Sequence, residues 1–147
     1  MDFAIALAAL GTALVGGIFF AFSGFVMSGL DRLDPDDAGR AMRGINVAAV
    51  GPALLVALGG TALLVLGLTV WAFLPWTPAS PWLVAAGILY LGGVGVVTGA
   101  ANVPRNDRLE AGSLDWARYR PGWNAWNHVR TASGVLAGAC YLAALLG

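Results

Sequence analysis

Between Asp2 and Asp31 the chain carries no charged residue, and between Arg43 and Arg105 it carries none again. A helix crosses a bilayer with about 20 consecutive apolar residues. Residues 3–30 therefore suffice for one crossing, while residues 44–104 are too long for one. Pro75-Trp76-Thr77-Pro78-Ala79-Ser80-Pro81 divides the longer stretch, because three prolines in seven residues cannot continue a helix. A last apolar run starts near Trp123 and reaches the C-terminus. The expected fold is all-α, a single four-helix transmembrane bundle over residues 1–147. Its spans are placed at about residues 3–30, 44–74, 82–101 and 123–146, the second bent near Gly51-Pro52. Asp2 has the wrong sign for the basic start of a signal peptide, so the first span is read as a retained helix.

The composition agrees. Of 147 residues, 59% are hydrophobic and 11% charged, against about 25% charged in a soluble domain; mean hydropathy is +0.76. Lysine is absent, and eight arginines balance eight acids. Nucleic acid is thereby excluded as a partner, since a phosphate-binding surface needs clustered excess positive charge. Cys140 is the only cysteine and lies in an apolar run, where it reads as a packed thiol. Glycine is abundant, with 21 residues. Gly95–Gly99 and Gly134–Gly138 have the spacing that lets helices in lipid approach closely, and Gly16, Gly17, Gly59, Gly60, Gly92 and Gly93 extend the same signal. No feature encodes the oligomeric state, and a homo-oligomer stays open.

Arginine sets the expected orientation. Arg32, Arg40 and Arg43 surround the first loop, and Arg105, Arg108, Arg118 and Arg120 occupy the third; the second loop and both termini have none. The positive-inside rule puts loops one and three in the cytoplasm and both termini outside, as a multi-pass protein of the cell membrane. In the first loop, Asp34 before Pro35 resembles an N-cap with proline opening a helix, and Asp36 and Asp37 suit the positive end of its dipole. Asn102-Val103-Pro104 is expected to end the third span, with a short interfacial helix at residues 114–119.

Polar residues within or beside the spans gather at the arginine-bearing end. Ser23 is near the end of the first span, Asn46 shares a helix face with Arg43, and Thr98 and Asn102 close the third. In the fourth, Trp123, Trp126, Asn127, Arg130 and Gly134 fall within an arc of roughly 100°. A stripe carrying an amide and a guanidinium should face the bundle interior or its polar mouth, because arginine at mid-bilayer costs several kcal/mol. Plainer readings stand beside this one. Trp71, Trp76 and Trp82 flank the second loop as an aromatic belt, and Trp116, Trp123 and Trp126 could form another. Arg130 could snorkel to the headgroups or pair with Asp107, Glu110 or Asp115. The asparagines could be interhelical hydrogen-bond glue. His128, the only histidine, lies off the stripe and reads as interfacial. One His, one Cys and no acid inside any span cannot build an ordinary zinc, di-iron or haem site, so no cofactor is expected.

Four blocks of sequence carry a resemblance. Ala21-Phe22-Ser23-Gly24-Phe25-Val26-Met27 closes the first span; Ala41-Met42-Arg43-Gly44-Ile45-Asn46, followed by Pro52, opens the second. Asn102-Val103-Pro104-Arg105-Asn106-Asp107 and Trp116-x-x-Tyr119-x-x-x-Trp123-x-x-Trp126-Asn127-His128-Val129-Arg130-Thr131 follow in order. Together they resemble the anthrone oxygenase-like membrane family. The chain departs at Gly24, where the family often has Asn, and at Ser28, where Pro is common. The resemblance implies a four-helix membrane fold and, for characterised relatives, oxidation of an anthrone to an anthraquinone by O₂ without metal or flavin. It implies a pocket for a hydrophobic aromatic molecule bounded by Ser23, Asn46, Asn102, Asn106, Trp123 and Trp126. Arg130 with Asn102 and Asn127 would steady an enolate or peroxide, with His128 the default base. A non-catalytic membrane protein that binds a hydrophobic ligand such as a quinone, or assembles with a partner, is the alternative. An enzyme should leave a cavity behind the stripe, and a structural protein should pack it solidly. Transport is a weaker third option, since no span carries a buried acid.

Overall fold

The computed structural model describes residues 1–147 and is helical almost throughout, without strands. The chain forms five helices: α1 (Asp2–Leu30), α2 (Pro35–Ala49), α3 (Pro52–Trp71), α4 (Ser80–Glu110) and α5 (Trp116–Leu146). All but α2 are long and apolar enough to cross a membrane. Helices α1 and α5 run antiparallel, as Asn127 against Ser23 and Gly134 against Gly16 show. The same holds for α4 and α5, through Trp123 against Asn102 and Ser133 against Gly93. Each spanning helix packs on its sequence neighbours, and α5 closes the ring on α1. Phe3, Leu10, Val56, Leu63 and Leu146 turn most of their side chains outward. Such an apolar surface suits lipid and is untenable in water.

The helix boundaries differ from expectation at three places. The second crossing begins at Pro52, not residue 44. Val50 leaves the helical conformation and Gly51 is extended, as the residue before a proline prefers. The preceding segment is a separate amphipathic helix, α2, opened by Pro35 after Asp34 with Asp36 and Asp37 in its first turn. Asp34 adopts the N-cap backbone without a side-chain capping bond. Pro104 does not end α4. It sits in the first turn of a resumed helical segment, and the Val103 N–H reaches the Thr98 carbonyl five residues back, so the backbone absorbs the proline by a π-turn. Finally, Pro121 lies inside α5, which runs unbroken from Trp116. Pro121 and Ala117 are both exposed, which leaves the carbonyl that lacks its donor open to solvent.

The α4–α5 turn is closed by backbone and side-chain hydrogen bonds. Gly112 has φ +68, and the Ser113 and Gly112 N–H groups donate to the Arg108 and Leu109 carbonyls, a Schellman closure that needs glycine at that position. Asp115 then caps α5, accepting from the Arg118 N–H at 2.9 Å. Asp31, at the end of α1, accepts from Trp116 Nε1 at 3.0 Å and pairs with Arg120 at 2.6 Å. Asp31→Ala removes both links and is expected to lower stability by about 1–2 kcal/mol. Asp31→Asn, which can still accept from Trp116, should lose less than about 1 kcal/mol in thermal unfolding of the detergent-purified protein.

Two apolar clusters form. The larger includes Phe19, Val65, Leu83, Tyr90, Val94 and Tyr141; the smaller gathers Met27, Ala38, Met42, Leu109, Trp116, Tyr119 and Trp123. Along α1, α4 and α5 alike, the polar residues come between the two: Ser23 between Phe19 and Met27, Thr98 and Asn102 between Val94 and Leu109, Asn127 and Arg130 between Trp123 and Ala137.

Candidate functional site

The polar layer is centred on α5. Asn127 is wholly buried, and its Nδ2 donates to the Phe19 carbonyl at 2.7 Å and to Ser23 Oγ at 2.6 Å. Ser23 lies in a π-turn at Phe22–Val26, where α1 loosens and the Met27 N–H bonds the Phe22 carbonyl. On the other side, Asn127 Oδ1 accepts from Arg130 Nη2 at 2.7 Å. Arg130 Nη1 reaches Thr98 Oγ1 at 3.4 Å. The guanidinium lies 4.1 Å from the ring centre of Phe19 and 5.1 Å from that of Trp123, within range of cation–π attraction.

No carboxylate meets Arg130, which is 5% exposed. The ion pairs of the molecule are Arg40–Asp37, Arg118–Asp115 and Arg120–Asp31, all elsewhere. A buried cation held only by one amide, a hydroxyl and two aromatic faces is costly, because desolvation is not offset by an opposite charge. Its Nε is buried without an acceptor, as are two further atoms of the polar layer: Asn46 Nδ2 lacks an acceptor and Asn102 Oδ1 a donor. Natural proteins leave few buried polar groups unmatched. The arrangement can therefore donate to an anionic oxygen and accept from a hydroxyl.

A second tier supports the first. Asn106 Oδ1 accepts from both Tyr119 Oη and Trp123 Nε1, each at 2.9 Å. Asn102 Nδ2 donates to the Trp123 carbonyl at 3.1 Å. Phe22 packs on Trp123 with ring centres 5.7 Å apart. Asn46, carried by α2, lies beside Tyr119. These contacts hold the indole against the guanidinium.

Of the residues singled out by sequence, Ser23, Asn46, Asn102, Asn106, Trp123, Asn127 and Arg130 line or support this layer. Trp126 and His128 do not. Trp126 is 41% exposed, and His128 is exposed on the outer face of α5 with Nε2 3.4 Å from Asn124 Nδ2. Phe19 and Tyr119 are the additions. Phe19 sits in a uniformly apolar helix whose sequence marks no inward face, whereas Tyr119 was signalled by its place three and four residues from Trp116 and Trp123. No three His, Cys, Asp or Glu side chains come together as a metal site would require. A recess beside α2 and another between α1 and α5 are lined by neither Asn127 nor Arg130. Trp123, at 4% exposure, is packed over the layer.

A bundle of membrane-spanning length that encloses an unpaired guanidinium between two apolar clusters belongs among helical membrane proteins that hold a polar site inside the bundle. Residues 46–140 match the family model described as Anthrone oxygenase, and the chain belongs to that family. The match takes in Asn46, Asn102, Asn106, Trp123, Asn127 and Arg130, and stops short of α1. No curated protein and no solved structure matches the chain.

Proposed function

We propose that this protein is a membrane-embedded, cofactor-independent oxygenase of anthrone-like or other hydrophobic aromatic substrates. Its place is the cell membrane, with both termini outside and the polar end cytoplasmic, since Arg32, Arg40, Arg43, Arg105, Arg108, Arg118 and Arg120 all lie at that end. The observation that carries the reading is the buried Arg130 without a counter-ion.

An anthrone loses a ring-methylene proton to become an enolate, which is electron-rich enough to react with O₂. The methylene carbon gains one oxygen atom to become the second quinone carbonyl, and the other oxygen leaves as water with the two methylene hydrogens. The protein's task is to favour the enolate and steady the peroxide that follows. Arg130, oriented by Asn127, supplies a preformed positive charge in a low-dielectric layer where such a donor acts most strongly. Trp123 and Phe19 offer aromatic faces to a flat substrate. The layer itself contains no carboxylate or imidazole, so the methylene proton passes to water and the guanidinium promotes enolisation by stabilising the enolate.

The burial of Trp123 and Arg130 favours a second reading, a non-catalytic membrane protein whose polar layer joins its helices or receives a hydrophobic ligand. Oxygen consumption separates the two. Detergent-purified protein given a simple anthrone should consume O₂ above the spontaneous rate. Asn127→Ala, which frees Arg130 from its 2.7 Å anchor, should lower that excess by about tenfold or more at a temperature where both proteins remain folded. Wild-type protein that never exceeds the spontaneous rate would favour the non-catalytic reading.

A further inference from the structure

The recess beside α2 is separate from the polar layer and has its own chemistry. It measures about 510 Å³ and lies between one face of α2, with Asp36, Gly39 and Arg43, and the turn into α5, with Leu109, Leu114 and Trp116. That volume is within the range of small-molecule sites, about 300–1,000 Å³. It opens at the polar end of the bundle, where apolar walls and charged groups meet. Arg40 and Asp115 also line it, but both are already engaged. Arg40 pairs with Asp37, and Asp115 caps α5 and faces Arg118. Asp36 and Arg43 remain, one of each sign, and neither has an ion-pair partner in the chain.

Their spacing is informative. Arg43 folds back along α2 so that its Nη1 lies 3.7 Å from where a Cβ on Gly39 would stand. Its charge thus sits near the level of residue 39, about 4.5 Å along the helix axis from Asp36. A lone anion would meet Asp36 across the recess, and a lone cation would meet Arg43. A group carrying a phosphate and an ammonium two carbons apart satisfies both, and the apolar wall of Leu109, Leu114 and Trp116 accommodates the glycerol and first methylenes behind it.

We propose that this recess binds the headgroup of an amine-bearing zwitterionic phospholipid, with the phosphate on Arg43 and the ammonium on Asp36. The site is independent of any oxygenase activity.

Native mass spectrometry of the intact protein, released from detergent with equimolar phosphatidylethanolamine and phosphatidylglycerol, tests it. Wild-type protein should retain the ethanolamine lipid preferentially. Arg43→Gln and Asp36→Asn should each lower its retention by about tenfold, the effect of one charge-assisted hydrogen bond. Gly39→Leu, which fills the floor of the recess, should abolish the adduct in a protein whose helical circular dichroism is unchanged. Equal or greater retention of phosphatidylglycerol would overturn the proposal, and so would adducts that survive all three substitutions. Soluble phosphoethanolamine provides the remaining arm: stabilisation by that compound without any retained lipid would assign the recess to a free metabolite and overturn the lipid assignment.

Discussion

Arg130→Met is expected to lower anthrone-dependent oxygen consumption by about 10²–10³-fold, the usual effect of deleting one preorganised donor to a developing oxyanion, while leaving the protein at least as stable. The two halves of this expectation have one cause. A guanidinium at 5% exposure with no carboxylate beside it carries a desolvation penalty that its amide, hydroxyl and aromatic neighbours only partly offset. Methionine fills much of the same volume, keeps contact with Phe19 and Trp123, and removes the buried charge. Against that gain stands the Asn127 Oδ1 left without a donor, a cost of about 1–3 kcal/mol, smaller than that of a buried charge without a partner. The midpoint of thermal unfolding should therefore stay or rise as turnover falls. An arginine that served as structural glue would behave in the opposite way, with a loss of several kcal/mol and activity falling only as the protein unfolds. Arg130→Lys sharpens the comparison. It keeps the charge but has one nitrogen where arginine has a fork, and so cannot hold Asn127 and an enolate in the same geometry. It should lie between wild type and Arg130→Met in turnover.

The four crossings could be read from the sequence because charge-free length is a coarse signal that tertiary packing does not alter. The inward stripe of α5 was equally legible. Trp123, Asn127, Arg130 and Gly134 recur at helical spacing, and all four are buried. Trp126 shows the limit of that arithmetic. It lies at the edge of the arc, about 70° from the centre of the other four, and the same rotation that buries them leaves it partly exposed. Proline is an incomplete stop signal in this chain. Pro75 and Pro78 separate α3 from α4 and Pro81 sits in the first turn of α4, but Pro104 and Pro121 lie within continuous helices, since a π-turn or an exposed carbonyl absorbs the missing donor. The π-turns themselves leave no period in the sequence. Those at Phe22–Val26 and Thr98–Asn102 nonetheless shift the register of α1 and α4 where Ser23, Thr98 and Asn102 meet α5. Phe19 was illegible for a different reason: a helix apolar on every face does not say which face turns inward.

Glycine spacing was a partial guide, and the differences among the glycines yield the second large effect. Gly134→Ala is expected to destabilise the protein by about 1–3 kcal/mol, the range for forcing extra volume into a close-packed contact. A Cβ at Gly134 would stand 2.9 Å from Gly16 Cα, 3.1 Å from Gly16 N and 3.3 Å from the Thr12 carbonyl oxygen. All three are backbone atoms, so no side-chain rotation can relieve the crowding, and α1 and α5 must move apart. Gly138→Ala should have a smaller effect, because its nearest neighbour is the Thr12 hydroxyl at 3.3 Å. Gly99→Ala should be neutral or slightly stabilising, since a Cβ there meets nothing within 4 Å, and alanine favours the helix. The GxxxG pair at Gly134–Gly138 thus joins helices, whereas the one at Gly95–Gly99 makes no close approach. The polar layer lies on the same α1–α5 seam, two turns from Gly134. Separating the helices there lengthens the 2.7 Å bond from Asn127 to the Phe19 carbonyl, so turnover by Gly134→Ala should fall even at temperatures where it stays folded. Unfolding midpoints of the three variants in one detergent, ranked beside their oxygen consumption, provide the check. If Gly134→Ala unfolds with Gly99→Ala, the backbone contact at Gly16 does not hold the bundle closed. If it unfolds early yet keeps full turnover when folded, the polar layer does not depend on that seam.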